Sequence, residues 1–137
     1  MANTININET NWDGRRGSIH YAVTSDGTAV TDTTLVDISA LSPAPGSVKI
    51  RSLDVVINGD FALIFEIDAT TDQEVERFQG QTDVTYQFLR DYTDGPNVGR
   101  QASDKAAAGF TGDVLITTSG LANLDEFNLF MVFERDS

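Results

Sequence analysis

Apolar side chains along this chain of 137 residues recur at every second position through most of its length. Ile5 and Ile7 stand among asparagine and threonine, and Ile19, Tyr21 and Val23 alternate with Ser18, His20 and Ala22. Val48 and Ile50 keep the same rhythm; after Ser52 the phase moves to Leu53, Val55 and Ile57. Strict runs follow at Phe61–Leu63–Phe65–Ile67, Val84–Tyr86–Phe88, Val114–Ile116 and Phe127–Leu129–Met131–Phe133. Residues two apart share one face of a strand, so each run reads as a half-buried strand. The slip at Ser52 predicts a β-bulge, or a strand that passes from one sheet to another.

The punctuation between runs agrees. Asn58-Gly59 separates two strong runs and supplies the positive φ of a tight hairpin, and Asp26-Gly27 marks another turn. Ser42-Pro43-Ala44-Pro45-Gly46 is a rigid connection, since its prolines suit neither helix nor central strand. One helical turn fits at Ser103–Phe110, with Ser103 as cap and Gly109 as stop. Eight or nine short strands with at most one short helix predict an all-β protein. The expected fold is one antiparallel, jelly-roll-like β-sandwich domain over residues 1–137, with residues 1–12 as an N-terminal arm or edge strand.

The last run has a second apolar face, Phe130 and Val132, opposite Phe127, Leu129, Met131 and Phe133. A sandwich strand has one inner face to fill, so Phe130 and Val132 are expected to meet a loop, the short helix or another subunit.

Composition narrows the function. Twenty-one acidic against nine basic residues give a formal net charge of −12, and only two lysines are present. Nucleic-acid phosphates require a basic stripe, so no nucleic-acid partner is expected. No apolar run approaches the ~20 residues of a membrane span, and the opening MANTININET lacks the basic and apolar regions of a secretory signal. Without cysteine there is no disulfide, thiolate metal site or cysteine nucleophile.

Chemistry is sparse. The single histidine, His20, lies mid-strand with no Gly-x-Ser-x-Gly elbow anywhere to serve, so no enzyme activity is expected. The densest carboxylate group is EIDATTDQEVE, with Glu66, Asp68, Asp72, Glu74 and Glu76. It reads as a solvated face, with Ca²⁺ held by Glu66, Asp68, Asp72 and Glu74 as the alternative; no other cofactor is expected. Trp12, Tyr92 and Phe110 lie in loop-like stretches where they would either stack on a sugar or anchor the loops.

Three stretches carry a family resemblance: MANTINI, VDISALSPAPGSVKIRSLDVVINGDFALIFEIDATTD and GFTGDVLITTSGLANLDEFNLFMVFERDS. Together they resemble small structural proteins of tailed-phage virions, of the head decoration or cement kind. The resemblance implies a non-enzymatic protein on the outer surface of the phage head, made in the host cytoplasm. It would bind the major capsid protein and form a homo-oligomer, a trimer in the usual case. Thr4, Ile5, Asn6, Ile7 and Asn8 are then expected to pair with a neighbour's sheet, and Trp12, Phe130 and Val132 to lie at interfaces. The alternatives are a tail, neck or fibre module, or a carbohydrate-binding β-sandwich.

Overall fold

The computed structural model describes residues 3–82, 84–91 and 105–135. Nine strands are present: β1 Thr4–Trp12, β2 Arg16–Asp26, β3 Thr33–Val36, β4 Val48–Asn58, β5 Ala62–Ile67, β6 Gln73–Gln79, β7 Thr85–Asp91, β8 Val114–Ser119 and β9 Asn123–Arg135. They form two antiparallel sheets, one in the order β1-β2-β9-β4-β7 and the other β3-β8-β5-β6. The chain changes sheet at nearly every connection after β2, which gives the interleaved two-layer pairing of a jelly roll with β1 added at one edge.

The alternation explains the core. Ile19, Tyr21 and Val23 of β2, Leu53, Val55 and Ile57 of β4, and Phe127, Leu129, Met131 and Phe133 of β9 are all buried. They face Leu63, Phe65 and Ile67 of β5, Phe78 of β6, and Val114 and Ile116 of β8. The phase slip at Ser52 is a bulge. Ile50 pairs with Phe133 and Ser52 with Val132, leaving Arg51 as the extra residue.

Two expectations fail. Asn58-Gly59 closes no hairpin, because β4 and β5 belong to different sheets. Gly59 does take a positive φ of 144°, and the turn carries the chain across the sandwich. No helix forms in the described part of Ser103–Phe110: Lys105–Phe110 is a series of turns, and Ser103 lies outside the described residues. Backbone groups here are satisfied largely across the fold, with Thr70 N donating to Ala108 O at 2.9 Å and Thr111 N to Asp68 O at 3.1 Å. The one helical element among the described residues is a 3₁₀ turn, Ile38–Ala40, capped by the Asp37 side chain. None is long and apolar enough to cross a membrane.

Candidate functional site

Register fixes what the outer face of the five-stranded sheet displays. One row across the strands runs Glu9–His20–Phe130–Asp54–Leu89, and the next Asn11–Ser18–Val132–Ser52–Asp91. A third, on the other side of the first, runs Ile7–Ala22–Asn128–Val56–Gln87. Cross-strand partners point to the same side, so this face mixes apolar groups with carboxylates, amides and hydroxyls.

Phe130 sits at its centre. β9 is the middle strand, and the Phe130 ring is 43% exposed. His20 packs its ring edge-on to Phe130 at 6.1 Å and meets Asn128 Oδ1 through Nε2 at 2.9 Å. Gln87 donates to Asp54 Oδ1 at 3.0 Å. Phe130 forms a ridge between two depressions. The one toward β1 and β2, about 490 Å³, is lined in part by Asn11, Arg16, Ser18 and Val132. The one toward β7, about 340 Å³, is lined in part by Ser52, Asp54, Leu89 and Arg90.

Phe130 and Val132 do share the outer face, and no described loop or helix covers Phe130. The other expected interface residues divide. Thr4, Ile5, Asn6, Ile7 and Asn8 form the start of an edge strand paired to β2, not a free arm. Asn6 is a bulge residue that bonds Thr24 Oγ1 at 2.9 Å, and it turns Ile5 and Ile7 to opposite faces. Trp12 is drawn inward instead. It crosses Gly17, stacks on Phe133 at 5.7 Å with an 8° interplanar angle, and donates from Nε1 to Pro43 O at 3.1 Å. It anchors β1 over the core, as Phe110 does for its own segment; Tyr92 lies outside the described residues.

Of the four carboxylates named for the Ca²⁺ alternative, two come together. Glu66 and Asp72 come together with Asp32, their carboxylate oxygens all within 4.8 Å of one another. Asp68 instead accepts from Thr111 Oγ1 at 2.7 Å, and Glu74 pairs with Arg77 at 2.7 Å. Thr117 Oγ1 lies 2.6 Å from Glu66 Oε1 and 3.2 Å from Asp32 Oδ1. Burial raises the Asp72 carboxyl above its ordinary range, the hydrogen bond from Ala69 N works against this, and Asp32 and Glu66 push it up further. Asp32 escaped the sequence reading because nothing in a linear stretch places it beside residues 34 and 40 positions later.

Charge of the opposite sign collects at one end of the five-stranded sheet. Glu134 of β9 contacts Arg51 at 2.6 Å, Arg16 at 3.2 Å and Lys49 at 3.4 Å. Burial alone would raise the Glu134 carboxyl, yet Arg51 and Arg16 bonded to it, with Lys49, hold it below its ordinary value.

No family model and no curated protein matches the chain. Among solved structures it is similar to carbohydrate-binding modules of family 29. A mutant of one such module shares 11% identity at a TM-score of 0.35, over 96% of this chain and 79% of its own. A second, complexed with mannohexaose, shares 10% at 0.32 over 96% and 79%; another, complexed with cellulohexaose, shares 9% at 0.32 over 96% and 78%. At these scores the likeness carries no argument about what this chain binds.

Proposed function

We propose that the protein is a non-catalytic carbohydrate-binding β-sandwich whose ligand surface is the outer face of the five-stranded sheet. The observation that carries this is Phe130, a half-exposed aromatic ring on the central strand between two depressions. Its neighbours Glu9, His20, Asp54, Gln87 and Asn128 all bear hydrogen-bonding groups. A pyranose needs this combination, because its CH face stacks on an aromatic ring while its rim of hydroxyls seeks carboxylates and amides. Self-association through the same face is disfavoured. Interface cores are depleted of charge, and this face would bring Glu9, Asp54 and Asp91 of one copy against those of another.

Binding of the intact protein to a panel of neutral and acidic polysaccharides, by affinity electrophoresis and calorimetry, tests the reading. Phe130→Ala is expected to weaken binding at least tenfold while the melting temperature moves little. Retention of full affinity by that variant, or failure of the wild type to bind any member of the panel, would refute it.

The place of β1 at a sheet edge, unpaired on its outer side among the described residues, favours a second reading, in which the chain is a virion subunit that pairs with a neighbour by β-augmentation. In that case the wild type sediments as a trimer and loses this state when Thr4–Asn8 are deleted. A monomeric wild type at high concentration would end the reading.

A further inference from the structure

We propose that the glycan taken by this face is acidic, its carboxylate held by Arg16 in the depression on the β1–β2 side of the Phe130 ridge. The inference rests on the carbohydrate reading and adds to it the charge of the ligand and its direction across the sheet.

The distribution of cations carries the argument. Of nine basic residues, Arg16, Lys49 and Arg51 bring their side chains to one carboxylate, Glu134, and the backbones of Arg15 and Arg135 lie beside them at one corner. Arg135 joins through its backbone, N donating to Arg15 O at 2.7 Å. Glu134 and Asp13 are acidic residues in contact with this corner. Asp13 Oδ1 already accepts from the backbone N–H groups of Arg15 and Arg16, at 2.8 and 2.7 Å. Glu134 brings one negative charge to three cations. A structural ion pair needs one cation, and the excess repels itself unless an anion arrives. On a chain of net charge −12, three cations on one carboxylate run against the overall balance.

Arg16 is placed to receive that anion. Its side chain is 60% exposed and meets Glu134 through one terminal nitrogen, whereas a guanidinium carries five donors in a fork that matches a carboxylate. It lines the same depression as Phe130 and Ser18. Phe130 and Glu134 are four residues apart on one face of β9, about 13 Å along the strand, so a short oligosaccharide stacked on Phe130 reaches the corner. Across the ridge, Asp54 and Asp91 outnumber Arg90 in the lining of the other depression, whereas Asp13 and Arg16 balance in this one. The ligand therefore has a preferred direction, with its charged sugar over the β1–β2 side and uncharged sugars over β4 and β7. The corner is too small for the phosphate track of a nucleic acid.

Polygalacturonate, alginate and hyaluronan, each compared with its carboxyl-esterified form at low and high salt, separate the possibilities. The wild type should bind at least one acidic polymer about tenfold more tightly than its ester, and high salt should erase the difference. Arg16→Gln should remove the preference while retaining binding to the ester, and Arg16→Lys should keep part of it; melting curves confirm that both are folded. Phe130→Ala should weaken acid and ester alike. Equal binding of acid and ester, unaltered by Arg16→Gln, would overturn the acidic preference and leave the carbohydrate reading standing. Acid binding lost in Arg16→Gln but untouched in Phe130→Ala would keep the anion site and defeat the sugar-stacking face. Absence of binding to every polymer would defeat both.

Discussion

Gly17, at the base of the depression beside Phe130, is a place where a single methyl group should do measurable harm to the core. It lies opposite Trp12 in the β1–β2 ladder, on the inward side. A Cβ built there would stand 2.5 Å from Asn11 O and 2.7 and 2.9 Å from two ring atoms of Phe133. Neither obstacle yields easily. The first is backbone in a paired strand, and the second is a fully buried ring stacked under Trp12. Overpacking of this kind costs about 1–3 kcal/mol, and alanine returns about 0.4–1 kcal/mol by restricting the unfolded chain. The expected net loss for Gly17→Ala is therefore about 1–2 kcal/mol. Unfolding entropy of about 2.1 cal/mol/K per residue gives roughly 0.29 kcal/mol/K for a chain of this length, so the melting temperature should fall by about 3–7 °C. Trp12 is the only tryptophan, so its emission reports the same event: in the variant it should shift to the red and become more accessible to acrylamide. A melting temperature within about 1 °C of wild type, with unchanged emission, would refute the reasoning that Trp12 packs through the gap left by Gly17.

Other outcomes follow from single contacts. Thr118→Val keeps the shape of a buried side chain but removes the acceptor of the Val30 N–H, 3.0 Å away; the orphaned donor should cost about 1–3 kcal/mol, read from the urea midpoint. Asp72→Asn should stabilise the protein at pH 7, by about 0.5 kcal/mol or less, because the folded protein holds this carboxyl above its unfolded value of 3.8. A carboxyl so raised is a liability above its folded pKa and none below 3.8, so the advantage of asparagine should shrink as pH falls toward 4. Glu134 behaves in the opposite sense. Held below 4.5, it contributes stability at neutral pH that is lost as pH falls through its folded value, and Glu134→Gln should flatten that part of the acid unfolding curve.

Much of the fold was legible because the periodicity is local. The two phases of β4 announced the bulge at Arg51, whereas nothing in the double-faced run 127–133 said that it is the middle strand of a sheet. β3 was not foreseen. It is four residues long, and Leu35 and Val36 are adjacent and both buried, so no alternation marks it. The positive φ at Asn58-Gly59 was readable, but such a turn serves a hairpin and a crossing between layers equally, and only the packing of the whole chain selects one. The same limit governs the surface. Phe130 and Val132 were visible as an unspent apolar face. Asp32 beside Glu66 and Asp72, and Arg16 beside Lys49, Arg51 and Glu134, meet only through strand register, which no short stretch encodes.

The place of β9 has one more consequence. β2 and β4 have no ladder between them and are joined only through this strand. Until residues 123–135 have left the ribosome, the larger layer exists as two separate ribbons with an open lane, and isolated ribbons are marginal in water. Closure therefore waits on this strand, and a chain stalled before it would offer two sticky margins to other nascent chains. It also makes the molecule divisible: a fragment ending at Leu121 and a free peptide of the β9 sequence are complementary halves that should gain order only on meeting.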